Sequence, residues 1–180
     1  MNPRTGFDAV GLAIGDVTGD GKDDIVYASD YGQDTPVNKL HLFSSNGNNS
    51  LALTWSTTLD SRAVAIGDAD NDGVTDVAVT TSADDSKVLV YEWNGSGMTH
   101  RWSSATLYEE FTSSPAPMDL CGTTIADTDK DGNNEIIIGS EDGYMIIFER
   151  TGNNSYTQRW KNRVKESCWV NCFEYHSKLL

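Results

Sequence analysis

Carboxylates recur at fixed positions in three short stretches of this 180-residue chain. Each stretch is nine residues long: Asp16–Asp24, Asp68–Asp76 and Asp127–Glu135. Eleven of the twelve residues at positions one, three, five and nine are acidic, and Thr18 is the exception. Position six is glycine in each copy, where a sharp turn needs a residue without a Cβ atom. Oxygen donors at this density predict a cage for a hard cation.

The donor set favours Ca²⁺ over other metals. The carboxylates are joined by a backbone carbonyl expected at position seven, and imidazole and thiolate, which zinc or copper would select, are absent from the pattern. Mg²⁺ is disfavoured because it prefers strict octahedral geometry and keeps its waters. An EF-hand would need flanking helices and a glutamate at position twelve, but that position holds Tyr27, Val79 or Ile138.

The three loops belong to an internal repeat. They begin at residues 16, 68 and 127, which are 52 and 59 residues apart. An apolar run precedes each loop, and a β-branched run follows it, as expected for buried strands. The preceding runs are Val10–Ile14, Ala63–Ile66 and Cys121–Ile125, and the following runs are Ile25–Tyr27, Val77–Val79 and Ile136–Ile138.

Two more strands complete each repeat. A third strand is predicted at Lys39–Phe43, Lys87–Trp93 and Tyr144–Glu149, and a fourth ends at Trp55, Trp102 and Trp160. Turns containing Asn46-Gly47, Asn94-Gly95 and Gly152-Asn153 separate them and are strong hairpin signals. Repeated four-stranded antiparallel units predict an all-β fold. We therefore expect a partial β-propeller of three blades, at about 8–60, 61–107 and 118–164, each with a calcium loop between its first two strands.

Two segments depart from this period. The connection from Trp102 to Asp127 is about a dozen residues longer than the one from Trp55 to Asp68. The insertion, which includes Tyr108 and the run Ser113–Pro117, is either a loop on a binding face or a tolerated insertion. Residues 165–180 include an apolar run at 167–173 with no acidic loop after it. They are interpreted as a broken fourth-repeat strand or a capping tail.

The repeated pattern of strand, acidic loop and strand resembles the FG-GAP and VCBS repeats of integrin-alpha-like β-propellers, over about residues 8–164. The signatures that name the repeat are missing as such, and Tyr27-Ala28-Ser29 and Ile138-Gly139-Ser140 stand near where one would be. The resemblance implies about three Ca²⁺ sites, with ligands at positions one, three, five, seven and nine of each loop. These are Asp16, Thr18, Asp20, Lys22 and Asp24; Asp68, Asp70, Asp72, Val74 and Asp76; and Asp127, Asp129, Asp131, Asn133 and Glu135.

Composition disfavours several partners. The formal net charge is −14, from 27 acidic and 13 basic residues, and this charge disfavours nucleic acid and anionic membrane surfaces. No apolar run is long enough for a membrane span, and no signal-peptide pattern is visible. Because multi-carboxylate sites fill readily at extracellular calcium levels, we expect an extracellular or cell-surface location.

Three functions remain open. The first is a calcium-stabilised module for adhesion or recognition, in which the metal is structural, as the resemblance implies. The second is a carbohydrate-binding module or the propeller part of a polysaccharide-acting enzyme, and the third is a structural spacer. No nucleophile elbow, zinc-binding spacing or phosphate loop is present, so we expect no enzymatic activity of this chain. Its ligand, protein or glycan, is not specified, and three blades are expected to need further blades or self-association to close.

Weaker signals have competing interpretations. The regularly placed Trp55, Trp102 and Trp160 favour packing between blades over sugar stacking, whereas Trp93 and Trp169 fall outside the period and are candidates for a binding surface. An Asn-x-Ser triplet lies in each hairpin, as turn chemistry or as a glycosylation acceptor. The chain has three cysteines, Cys121, Cys168 and Cys172, which are interpreted as small buried hydrophobes. A disulfide bridge between Cys168 and Cys172 is an alternative.

Overall fold

The computed structural model describes residues 7–31, 39–47, 50–81, 85–109 and 117–164. Within these ranges the chain forms twelve β-strands and no helix. The strands are β1 Phe7–Gly15, β2 Asp24–Tyr31, β3 Lys39–Gly47, β4 Ser50–Thr58, β5 Ser61–Gly67, β6 Asp76–Thr81, β7 Val88–Trp93, β8 Met98–Ser103, β9 Leu120–Ala126, β10 Glu135–Ser140, β11 Tyr144–Gly152 and β12 Ser155–Arg163.

The strands form three separate four-stranded antiparallel sheets. The first sheet contains β1 to β4, the second β5 to β8 and the third β9 to β12, and within each sheet neighbours in space are neighbours in sequence. The all-β class and the four-stranded antiparallel units predicted from the sequence are confirmed. The arrangement is consistent with partial propeller blades.

The second sheet is buried on both faces because its side chains alternate between two cores. Val77 and Val79 point into a core shared with the first sheet, where they join Val26 and Leu42. Ala78, between them, belongs to a core shared with the third sheet. Every residue of β6 is buried, which explains why its sequence is a continuous apolar run followed by threonines rather than an apolar and polar alternation.

The first strands of the three sheets lie side by side, and small residues permit the contact. A Cβ atom placed on Gly11 of β1 would come within 2.7 Å of the Arg62 carbonyl oxygen of β5. A Cβ atom on Gly67, at the end of β5, would lie 3.1 Å from the side chain of Ile125 of β9. A larger residue at Gly11 would therefore push the first two sheets apart.

The fourth strands extend past the tryptophans predicted to end them, to Thr58, Ser103 and Arg163, and the three tryptophans have unequal surroundings. Trp55 lies 6.2 Å from the ring of Tyr91 in the second sheet, and Trp102 lies 5.5 Å from Phe148 and 5.0 Å from Tyr156 in the third. Trp160 remains 37% exposed. The prediction of packing between sheets is therefore confirmed for the first two and does not hold for Trp160 among the described residues, because no sheet in the described part of the chain follows the third.

The insertion between the second and third sheets is anchored at both ends. Leu107 and Met118 are buried in the core between these sheets, and the Met118 amide donates a hydrogen bond of 3.0 Å to the Leu107 carbonyl. Tyr108 and Pro117 form an isolated bridge beside it. The ends of the insertion therefore belong to the core.

Two sequence interpretations are wrong in the structure. Trp93, interpreted as a candidate for a binding surface, packs against the core between the first two sheets, because it shares a strand face with Leu89 and Tyr91. Cys121, interpreted as a buried hydrophobe, is exposed, because side chains alternate along β9 and the neighbouring Leu120 is the one that lies in the core. The predictions for Cys168, Trp169 and Cys172, for the strand at 167–173 and for the 165–180 tail lie outside the described residues.

No helix in the described ranges has the length and apolar character needed to cross a membrane.

The unequal surroundings of the tryptophans predict unequal stabilities. Trp102→Ala should lower the free energy of unfolding by about 3–5 kcal/mol, since the change removes a large side chain that packs on two aromatic rings. Trp160→Ala, at the equivalent position with an exposed ring, should cost less than about 1 kcal/mol. Urea unfolding of dilute protein measures both values, and equal losses would contradict the assignment of Trp102 to the core between sheets.

Candidate metal sites

Each acidic loop joins the first two strands of one sheet. The strand pairs on either side are in register up to the loop: Gly15 pairs with Asp24, Gly67 with Asp76, and Ala126 with Glu135. Position one of the loop therefore follows directly after the first strand, and position nine opens the second. The β-ladder holds both ends of the loop, so the carboxylates in between are confined to a small volume.

The carboxylate at position one organises the turn. The Asp16 carboxylate accepts hydrogen bonds from the amides of Gly19 and Gly21, both at 2.8 Å. The Asp68 carboxylate accepts from the Gly73 amide at 2.9 Å, and the Asp127 carboxylate from the Gly132 amide at 3.0 Å. The donor at position six is thus the same glycine amide in all three loops, which fixes how the chain turns around the acid.

The acid at position nine is buried in every loop. Asp24, Asp76 and Glu135 are each 1% exposed. Each accepts a hydrogen bond from the amide at position two: from Val17 at 3.0 Å, Ala69 at 2.8 Å and Thr128 at 2.7 Å. This acid therefore closes the loop onto the second strand with one of its two oxygens.

The other oxygen of Asp76 and of Glu135 has no protein partner. Asp76 Oδ1 and Glu135 Oε1 are both buried and accept no hydrogen bond among the described residues. A buried carboxylate oxygen without a partner carries a desolvation cost, which a cation or an ordered water relieves. Both oxygens belong to side chains that lie within groups of acids. The acids of these groups therefore fit a bound cation.

The structure brings the predicted ligands together in two of the three loops. In the third loop, ligand atoms of Asp127, Asp129, Asp131 and Glu135 all lie within 4.8 Å of one another. In the second loop, Asp68, Asp70 and Asp76 form one such group, and Asp70 and Asp72 form another with Glu92 of β7. These groups contain only carboxylate donors, so they suit a hard cation and offer no nitrogen or sulfur ligand.

The first loop differs from the others. Its acids Asp16, Asp20 and Asp24 do not form such a group in the described part of the chain. Position three is Thr18, which removes one carboxylate, and the Lys22 ammonium at position seven lies 2.8 Å from the Asp20 carboxylate. The lysine supplies part of the positive charge that a cation would bring.

At position seven the predicted contribution is a backbone carbonyl. In the second and third loops, Val74 and Asn133 occupy this position, and their amides donate to the position-five carboxylates at 2.8 and 2.7 Å. The Val74 side chain is 41% exposed, so it does not take part in the site. The prediction for this carbonyl is not tested by these contacts.

Glu92 and Glu149 were missed by the sequence reasoning. Glu92 pairs across the sheet with Asp76, and Glu149 pairs with Glu135, so each faces the position-nine acid of its own sheet. Glu92 is 5% exposed and accepts a hydrogen bond of 2.8 Å from Arg101 Nε. Aligning the third strands of the repeats would have shown an acid at this position in two of three sheets.

A hairpin of the third sheet reaches the second loop. The Asn154 amide donates to Asp70 Oδ2 at 2.5 Å, and its side-chain amide donates to Glu92 Oε1 at 2.5 Å. Asn153 Nδ2 donates to Asp72 at 2.8 Å. The neighbouring sheet therefore supplies hydrogen-bond donors to three acids of the second sheet.

The second and third loops are also linked directly. Asn71 Nδ2 donates to the Gly132 carbonyl at 3.0 Å, and the Asn134 amide donates to Asn71 Oδ1 at 3.0 Å. Asn134 Nδ2 donates to the Asp68 carbonyl at 2.7 Å. These hydrogen bonds connect residues more than sixty positions apart in sequence and hold the two candidate sites in one fixed arrangement.

Burial and mutual repulsion perturb the acids of the second loop. Burial raises the pKa of Asp76 to about 7, although the Ala69 amide lowers it, and the negative charges of Asp70, Glu92 and Asp72 raise it further. Burial likewise raises the pKa of Asp70. The pKa of the Tyr156 hydroxyl is raised, first by burial and then by the same acids. This loop is therefore short of positive charge.

The loop backbone adopts left-handed conformations at two positions. Position six is Gly21, Gly73 or Gly132, with φ between 82° and 93°, and position four is Gly19, Asn71 or Lys130, with φ between 57° and 74°. The glycine predicted for a sharp turn is thus required at position six for its conformation. Position four tolerates asparagine and lysine at some cost in strain.

A family comparison agrees with this repeat geometry. The family model of the FG-GAP-like repeat matches residues 16–79 and again residues 70–137. The chain belongs to the FG-GAP-like repeat family. Each FG-GAP-like match starts in one acidic loop and extends through the next acidic loop into the strand that follows it. Together the matches span more than half of the chain. No curated protein sequence matches the chain.

The raised pKa of Asp76 predicts an unusual pH dependence for the FG-GAP-like chain without metal. Because the folded-state pKa of about 7 lies above the ordinary value of 3.8, the folded protein retains a proton that the unfolded chain releases. The stabilisation that comes from this bound proton of Asp76 is complete below pH 3.8. It is lost as pH rises through about 7. In excess EDTA, the free energy of unfolding should fall across this window, with a slope from this residue of up to about 1.4 kcal/mol per pH unit.

The matched variant for this measurement is Asp76→Asn, which keeps an oxygen for the Ala69 amide and cannot ionise. Denaturant unfolding at several pH values in EDTA should show a smaller slope for this variant than for the unchanged chain. Identical slopes would show that Asp76 ionises normally in the folded state.

The left-handed backbone at position six predicts a conformational penalty there. Gly73→Ala should destabilise the folded chain by about 1–2 kcal/mol, because φ is 87° and alanine disfavours this conformation. No atom lies within 4 Å of the new methyl group, so a steric clash does not add to this cost. Thermal unfolding measures the loss. Gly122→Ala, where the new methyl group also meets open space but φ is not left-handed, is the control and should cost less.

Proposed function

We propose that this chain is a calcium-binding β-propeller repeat module for extracellular adhesion or recognition, in which the metal has a structural role. Membership of the FG-GAP-like repeat family and the three open four-stranded sheets support the propeller module. The calcium sites are proposed at the second and third loops first, because these are the loops whose acids lie together.

The observation that carries the proposal is the pair of buried, unpartnered oxygens. Asp76 Oδ1 and Glu135 Oε1 have no hydrogen-bond donor in the described structure, and each belongs to an acid at the base of a carboxylate group. A bound Ca²⁺ would supply the positive charge that both oxygens lack. The residues that would hold it are the acids of the two groups, with the position-seven carbonyls as further oxygen donors.

The energetic role follows from charge. Several carboxylates held within 4.8 Å of one another repel each other when no cation is bound. The unfolded chain separates them and so relieves the repulsion. An ion that binds the folded chain alone therefore stabilises it by mass action, by about 2.7 kcal/mol when its concentration is a hundred times Kd.

The extracellular assignment rests on the same chemistry. Sites built from several carboxylates on short loops range widely in affinity, and the weaker ones fill only at the calcium concentrations found outside cells. A net charge of −14 is tolerable where bound cations offset it.

For the recognition surface, we propose the connection between the second and third sheets rather than Trp93, which packs against a core. Tyr108 is 46% exposed there, and its carbonyl accepts a hydrogen bond of 2.7 Å from Lys161 of the third sheet. Loops held by a rigid scaffold commonly carry binding residues.

Removing calcium tests the proposal. Chelation with EDTA should lower the melting temperature by about 5–10 °C for each filled site, because mass-action stabilisation is lost. Differential scanning calorimetry with and without calcium measures the change, and isothermal titration measures the affinity. An unchanged melting temperature would exclude a structural metal.

The variant Asp76→Asn separates the metal from the fold, because its effect should change sign with calcium. Without metal above pH 7 it should raise the melting temperature, since it removes a buried charge next to Asp70 and Glu92. With calcium the variant should have a lower melting temperature than the unchanged chain, since a metal ligand is lost. Asp23→Asn, at position eight of the first loop, is the control and should change neither value. A variant that destabilises the chain equally in both conditions would contradict the assignment of Asp76 as a ligand.

A further inference from the structure

The two interfaces inside the chain are copies of one contact. For each sheet, we call the face toward the preceding sheet its front face and the face toward the following sheet its back face. In the first and third sheets, the outer face is named by the equivalent strand positions. Trp55, on the back face of the first sheet, packs near Tyr91 on the front face of the second. Trp102, on the back face of the second sheet, packs on Phe148 on the front face of the third. The same pair of positions meets twice.

The front face of the first sheet carries apolar residues that no described residue covers. Leu12 and Ile14 of β1 are 59% and 60% exposed, and Leu53 of β4 is 55% exposed. Phe43, which pairs with Leu53 and with Ile25, lies between these strands. Ile14 and Phe43 occupy strand positions whose equivalents pack in the cores between sheets. These equivalents are Ile66 and Tyr91 in the second sheet, and Ile125 and Phe148 in the third.

The back face of the third sheet is uncovered in the same way. Trp160 is 37% exposed. It pairs with Ile147 of β11, which in turn pairs with Ile137 of β10, so the three form an apolar row across the sheet. In the second sheet the equivalent row of Ala78, Val90 and Trp102 packs on the third sheet.

The two uncovered faces are the missing halves of the repeated contact. Trp160 stands where Trp55 and Trp102 stand, and Phe43 stands where Tyr91 and Phe148 stand, opposite the second residue of the second strand. Ile14 stands where Ile66 and Ile125 stand, and these two pack against Gly15 and Gly67 of the preceding sheet. The residue at that position of the third sheet is Ala126, whose methyl group would displace an Ile14 side chain from the place that Ile66 and Ile125 occupy.

We propose that a second copy of this chain covers both faces, the back face of each third sheet packing on the front face of the other copy's first sheet. The described ranges of two copies supply six sheets, and propellers close with about four to eight. Two-fold symmetry then makes both junctions identical, with Trp160 of each copy meeting Phe43 of the other. Each junction repeats the packing already present twice within the chain.

Analytical ultracentrifugation in calcium and physiological salt tests this assembly. The unchanged chain should sediment with the mass of two chains as its concentration rises. Phe43→Arg and Trp160→Arg should each raise the dissociation constant at least about tenfold, because each places an unpaired charge in both junctions. Leu12→Arg and Thr124→Arg, exposed on the same two faces, form a second pair in case either ring proves necessary for folding.

Mixing the single variants sharpens the test. Phe43→Arg keeps an intact back face and Trp160→Arg keeps an intact front face, so the mixture should associate more tightly than either variant alone, through one native junction. Ser96→Arg, in the exposed hairpin between β7 and β8 of the second sheet, is the control and should associate like the unchanged chain.

Three outcomes would overturn the assembly. A folded chain that remains a single copy at every concentration shows that another segment or partner covers the faces. A dimer sensitive to only one of the two face variants indicates contact between like faces. A dimer sensitive to neither assigns the contact elsewhere. Each of these outcomes is independent of whether the loops bind calcium.

Discussion

The buried acid that opens the second strand of each sheet is the constraint on which the rest of the structure depends. Asp24, Asp76 and Glu135 each use one oxygen to hold the loop backbone, and they do so at the point where the strand ladder begins. The loop must therefore pass over an acid that water does not reach. In the second and third loops further carboxylates lie close to this acid, which makes the fold and the candidate cation site one structural feature there.

This constraint extends from one sheet to the next. Asn153 and Asn154 of the third sheet donate hydrogen bonds to acids of the second loop, so the acids of one sheet help to position the hairpin of another. Apolar side chains pack between these two sheets, and the asparagine hydrogen bonds fix the relative height of the sheets. Apolar side chains alone are less directional and would tolerate sliding.

Much of this arrangement was predictable from sequence because it is local. Position-specific acids, a glycine at position six and flanking β-branched runs all lie within about fifteen residues of each other, and three copies make the pattern distinct. The strands, their order and the loop positions follow from it. The unequal character of the loops was partly visible too, since Thr18 and Lys22 are the residues that set the first loop apart.

The features that sequence reasoning missed depend on pairing between distant residues. Glu92 and Glu149 face the loops only because of the strand register. Trp93 was assigned to a surface because it falls outside the repeat, but its strand face is shared with Leu89 and Tyr91, which point into a core. Spacing within a strand would have placed it correctly, because side chains two residues apart share a face.

The order of the strands has a consequence for how the chain folds. In the described ranges every strand pairs with its neighbour in sequence, so each sheet can form by closing short connections, without waiting for a remote segment to arrive. Folding of such a chain can begin in any one sheet and spread to the adjacent one, as in linear arrays of repeats. The central sheet, which alone has a neighbour on both sides among the described residues, gains the most from that spread and should be the last part to unfold.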